Sequence, residues 1–114
     1  MGINSREKGA RSEREVARIL REHGFEGARR GQQFSGANGD PDVVGIPGIH
    51  IECKRVERLN IDKAFDQSKG DARDGEIPIV VHRRNARPWM VTMSLEDWLK
   101  LFLDEGKIIQ DNKL

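Results

Sequence analysis

The chain has 114 residues, 36 % of them hydrophobic and 34 % charged, with a formal net charge of +1. This length supports one modest core, so a single domain over residues 1–114 is expected, and near-neutrality excludes a uniformly basic nucleic-acid glue. The single cysteine, Cys53, excludes an internal disulfide and a thiolate zinc site, and no apolar run approaches the roughly 20 residues of a membrane helix. A soluble protein of a reducing, cytoplasmic setting is therefore expected, with no membrane partner. The charge is uneven. Residues 6–30 carry eight Lys/Arg against five Asp/Glu, whereas residues 94–114 carry three Lys against five acids. Such asymmetry permits a basic face that meets phosphates.

In chain order, residues 6–23 read as a helix, with Val16, Ala17, Ile19 and Leu20 near helical spacing and Gly24 as its stop. Either Asn4 with Glu7, or Ser12 with Glu15 as a capping box, can begin it. Residues 29–40 form a polar, glycine-rich loop. Two apolar runs follow, Asp42 to Ile46 and Ile49 to Lys54, joined at Pro47-Gly48, the preferred central pair of a type II turn. Asn60 caps a helix running to about Arg73, with Ala64, Phe65, Ser68 and Ala72 inward. Strands are predicted over Ile77 to His82 and Trp89 to Met93, and Ser94-x-x-Asp97 opens a last helix rich in apolar residues. The order α-β-β-α-β-β-α implies an α/β fold, a central mixed sheet flanked by helices.

The chemistry concentrates at Asp42 and Glu52-Cys53-Lys54. Residues i and i+2 of a strand share a face, about 6.5–7 Å apart, so His50, Glu52 and Lys54 lie on one face and Ile49, Ile51 and Cys53 on the core face. Alone, Glu52 and Lys54 are an ordinary wet strand face. With Asp42 brought across a tight turn, two carboxylates can meet around a divalent cation. Mg²⁺, with Mn²⁺ as a substitute, would take Asp42, Glu52, the Cys53 carbonyl and phosphate oxygens, polarise a scissile phosphate and acidify a water. Lys54 would position that water or offset the developing negative charge. Glu13 lies on the core-facing stripe of the first helix and needs a partner, either a metal, a lysine, or simply Arg14 or Arg18. Glu15 reads as a capping or surface residue. Cys53 faces away from Glu52 and Lys54 and reads as a small core residue. His23, His50 and His82 lack metal-ligand spacing, His50 being nearest the site. Trp89 and Trp98 read as core or interface residues. Arg29, Arg30, Gln32 and Gln33 before the glycine-rich loop, and Arg83, Arg84 and Arg87 later, can contact phosphates without reading sequence, or can be exposed basic loops.

Lys8-Gly9-x-x-x-Glu13-Arg14-Glu15, His23-Gly24-Phe25, Arg30, Ser35-Gly36, Pro41-Asp42 and Glu52-Cys53-Lys54 together resemble the PD-(D/E)xK nuclease superfamily. Within it they are most similar to archaeal-type and phage Holliday-junction resolvases, over about residues 8–92. The resemblance implies a restriction-endonuclease-like core, metal-binding carboxylates at Glu13, Asp42 and Glu52, and a catalytic lysine at Lys54. It also implies Ser35 near the scissile phosphate and Gln67 supporting the site from the following helix. The region after Arg55 departs from the archaeal pattern and is nearer a phage-type variant, which bears on the substrate rather than the cleavage chemistry. The expected function is a metal-dependent endodeoxyribonuclease acting on branched DNA such as a four-way junction, as a homodimer, in the cytoplasm or as a viral protein in the host cytoplasm. The alternatives are a nuclease that nicks or cuts flaps or plain duplex, a DNA-binding module without the chemistry, and a subunit of a larger restriction or repair complex.

Overall fold

The computed structural model describes residues 2–32 and 40–103, the first five of these as backbone. Helix α1 (Gly2–Glu22) is followed by strands β1 (Arg29–Arg30), β2 (Val43–Val44) and β3 (Ile49–Arg55). Helix α2 (Ile61–Asp71) then leads to β4 (Ile77–Arg83) and β5 (Met90–Thr92). A last helix, α3, covers 95–103. The strands form one mixed sheet in the order β1-β2-β3-β4-β5, with β3 and β4 parallel and the other neighbours antiparallel. The parallel pair is joined by α2, as a crossover connection requires. This is the expected α/β architecture of a restriction-endonuclease-like core, with one strand more than the sequence suggested.

That extra strand lies inside the predicted polar loop. Arg29 and Arg30 pair with Val44 and Val43, and two residues carry no periodicity from which a strand could be read. Gly31 continues the contact. Its N–H donates to the Asp42 carbonyl at 2.8 Å, and a Cβ there would fall on the Pro41 carbonyl oxygen. Only glycine lets the two backbones approach this closely, and the approach fixes where Asp42 begins.

Helix α1 starts earlier than expected and passes straight through Ser12, which is buried within it, so neither Ser12 nor Asn4 serves as its cap. It ends where predicted. Phe25 N–H donates to the Leu20 carbonyl and Gly24 N–H to that of Arg21, a Schellman closure. Between β2 and β3, Ile49 N–H donates to the Ile46 carbonyl at 3.2 Å and Gly48 has φ 78°, the type II turn expected of Pro47-Gly48. Asn60 caps α2, its Oδ1 accepting from Lys63 N–H at 3.0 Å, and Ser94 Oγ accepts from Asp97 N–H at the start of α3.

The core lies between α1 and the sheet, where Val16 and Ala17 meet Val43, Ile51, Cys53 and Val81. The opposite face of β3 is covered as well. Helix α2 lies over it, with Ala64 and Ser68 buried and Ser68 Oγ donating to the Ile79 carbonyl at 3.0 Å. The His50–Glu52 face is therefore not a wet strand face: His50 is 1 % and Glu52 3 % exposed. Among the described residues no helix is long and apolar enough to cross a membrane.

Candidate active site

Strands β2 and β3 separate at Asp42, and the candidate site occupies that fork. Val43 opposes Ile51 in the ladder, and Asp42 N–H donates to the Ile51 carbonyl at 2.8 Å. The side chain then takes over from the ladder. Asp42 Oδ2 accepts from Cys53 N–H at 2.8 Å, holding the carboxylate over β3 where pairing stops. Glu52 projects from the next position of β3 to the other side, so the buried Asp42 and Glu52 carboxylates converge.

The electrostatics follow from that convergence. Burial first, then the negative charge of Asp42 and a hydrogen bond with it, push the Glu52 carboxyl up from 4.5 to about 7, against the opposing hydrogen bond with His50. A carboxyl buried beside another carboxylate is pushed toward its neutral form unless a cation joins the two. The same field reaches Cys53, whose thiol is pushed up to about 12 by burial, then by Asp42 and Glu13. A thiol held there is a core residue and no nucleophile. Two converging carboxylates are a donor set that fits a hard divalent cation.

Glu13 sits half-buried on α1 facing the same point. Its carboxyl is raised chiefly by burial, with Asp42 adding, and is drawn down by the Arg30 hydrogen bond and by the charges of Arg30 and Lys54. Its partner is Arg30, whose Nε donates to Oε1 at 2.7 Å. Neither Arg14 nor Arg18 fills that role, and Arg18 pairs with Glu22 instead. Lys54 is half-buried on β3, near enough to favour the Glu13 anion. Asp42 thus acts on both Glu52 and Glu13, and Lys54 acts on Glu13.

The other predicted contacts are dispersed. Arg29 and Gln32 are exposed before the fork. Arg84 and Arg87 are exposed in the β4–β5 turn, beside a groove of about 350 Å³. Arg83 is not a free surface cation: its Nη1 donates to Glu15 at 3.0 Å and its guanidinium lies over the Trp89 ring. Glu15, expected as a cap or surface residue, is therefore a tie between α1 and the sheet, since it also accepts from Trp89 Nε1 at 2.9 Å. Gln67 is exposed on α2. Gln33 and Ser35 lie outside the described residues.

Two further residues lie near the carboxylates: His50, which the sequence marks as nearest the site without giving it a role, and Asp71, which was not expected there. His50 Nε2 lies 3.0 Å from Glu52 Oε1, and Asp71 of α2 joins them, so that ligand atoms of His50, Glu52 and Asp71 lie within 4.8 Å of one another. Asp71 continues the inward stripe Ala64, Ser68 at i+4 and i+7, a helical signal that singles it out.

A family model described as phage putative PDDEXK endonuclease matches residues 4–112. The chain belongs to that family. The match takes in α1, the β2–β3 fork and the helix that covers it, so this PDDEXK chain presents its charged fork in a nuclease framework. No curated protein and no solved structure matches it.

Proposed function

We propose that the chain is a single PD-(D/E)xK nuclease domain that hydrolyses phosphodiester bonds in DNA with the help of Mg²⁺, for which Mn²⁺ can substitute. The observation that carries this reading is the convergence of buried Asp42 and Glu52 at the fork of β2 and β3. Asp42, Glu52 and the Cys53 carbonyl would hold the cation, with Glu13 as the further carboxylate. When bound, the ion polarises the scissile phosphate and favours ionisation of a nearby water. Lys54 would position the water that attacks phosphorus while the P–O bond to the departing alcohol breaks, and its charge would offset the anion that develops. Arg29, Arg30, Gln32, Gln33, Ser35, Arg84 and Arg87 would meet phosphates, giving steeply salt-dependent binding. Arg83 and Gln67 would support the site rather than touch the backbone.

The substrate we favour is branched DNA, a four-way junction above all, cut in the cytoplasm of the host cell. Two symmetric cuts ask for a C2 homodimer. The exposed apolar residues of β5 and α3, among them Met90, Trp98 and Phe102, support a dimer surface. The test is Mg²⁺-dependent cleavage of an immobile junction beside a linear duplex of matched sequence, with Lys54→Ala as control. Paired cuts in the junction alone, lost in the variant, bear out the reading. Equal cutting of both substrates removes the junction preference, and tight binding with no cutting by the unaltered protein leaves a DNA-binding module.

A further inference from the structure

The α2 side of β3 carries a second cluster, of which Mg²⁺-assisted hydrolysis uses Glu52 but neither His50 nor Asp71. His50 is buried to 1 % exposure, with Glu52 beside it on the strand and Asp71 facing it from α2. One ligand atom from each lies within 4.8 Å of the other two. The His50 ring is incompletely satisfied. Nε2 lies 3.0 Å from Glu52 Oε1, but Nδ1 is buried without a hydrogen bond, the Glu76 carboxylate standing off at 3.8 Å. A neutral imidazole leaves a lone pair unmet there, and a protonated one leaves an N–H unmet. Buried polar atoms are rarely left so; an ion taken by Nε2 together with Glu52 would fix Nδ1 as the N–H, facing the Glu76 carboxylate. A cleft of about 310 Å³, lined in part by Asp40, His50 and Glu76, gives a route to the imidazole.

We propose that His50, Glu52 and Asp71 form a second cation site, for a transition-metal ion that accepts an imidazole ligand, such as Zn²⁺, Co²⁺ or Mn²⁺. Mg²⁺ prefers oxygen ligands, so the nitrogen separates the two sites chemically. The ion would tie α2 to β3 and hold Glu52 in the orientation that meets Asp42, as outer ligands do for metal-binding carboxylates. The inference rests on the nuclease reading only in that Glu52 is shared by both sites.

The test is titration of the full chain with Co²⁺, followed by calorimetry for stoichiometry and by visible absorption for nitrogen ligation. The variants are Asp71→Asn, His50→Gln and Asp42→Asn, each checked for folding by circular dichroism. Asp71 is half-buried, so its variant carries the result if the one at His50 fails to fold. Two ions per chain are expected. The nitrogen-ligated one should weaken on the order of 100-fold or more in Asp71→Asn and in His50→Gln, while the other depends on Asp42. A single ion, lost in Asp42→Asn and indifferent to Asp71→Asn, overturns the second site and leaves the nuclease reading standing. No ion at either site overturns both.

Discussion

The two faces of β3 are equally closed to solvent and chemically opposite. On one, Ile51 (1 % exposed) and Cys53 pack against Val16 and Ala17 of α1. On the other, His50 and Glu52 (3 % exposed) lie under α2 beside Val80, the register partner of Glu52. The first face needs no explanation beyond apolar burial. The second works against folding, since a desolvated carboxylate next to another carboxylate destabilises the chain that holds it. A fold that keeps such a pair where β2 and β3 part stabilises itself with the apolar face of β3, and it is to the other face that we assign the chemistry.

The sharpest way to break this comparison is to substitute each face in turn. Glu52→Gln or Asp42→Asn should lower cleavage on the order of 10³-fold or more, about 4 kcal/mol of barrier. Either should leave the melting temperature unchanged or raised, because a like-charged pair is relieved; single-turnover cleavage and thermal melting read the two effects. Ile51→Ala should do the reverse. It should cost about 3–4 kcal/mol of stability, seen in urea denaturation, with the activity of the remaining folded fraction near normal. A carboxamide variant that unfolds the protein would contradict the division.

The pH dependence sharpens it further. The Glu52 carboxyl is raised in the folded state to about 7 from an ordinary 4.5. Its contribution to stability is therefore fully present below about pH 4.5 and is lost as the pH rises through 7. Without divalent ions, melting should show a loss on the order of 3 kcal/mol or less between pH 5 and 8. Divalent cation should restore most of it at the upper end, and Glu52→Gln should flatten the curve. The smallest effect belongs to the polar tie on the α1 side. Glu15→Gln keeps an acceptor for Trp89 Nε1 but loses the charge facing Arg83, a change of about 1 kcal/mol, measurable as a shifted urea midpoint with cleavage chemistry unchanged.

Much of the site was legible because its signals are local. Pro47-Gly48 announces the turn that sets β2 against β3, and Asp42, Glu52 and Lys54 stand at spacings that such a turn brings together. Asn60 and Ser94 likewise declare their helix starts through their own side chains. What escaped is set by partners far along the chain. Glu13 meets Arg30 across 17 residues, and Glu15 meets Arg83 and Trp89 across 68 and 74. No spacing rule reaches such distances. The burial of His50 and Glu52 depends on where α2 lands, which alternation along one strand cannot tell. Strand β1 exists only because Val43 and Val44 give Arg29 and Arg30 a ladder.

The most direct test of the central claim is cleavage of supercoiled plasmid DNA by the unaltered protein and by Glu52→Gln, with Mg²⁺ and with chelator, after both show the same circular dichroism. Mg²⁺-dependent cutting by the unaltered protein, and none by the folded variant, is the predicted result. Cutting that survives chelation, or a variant that cuts at the unaltered rate, would contradict the assignment of chemistry to the charged face of β3.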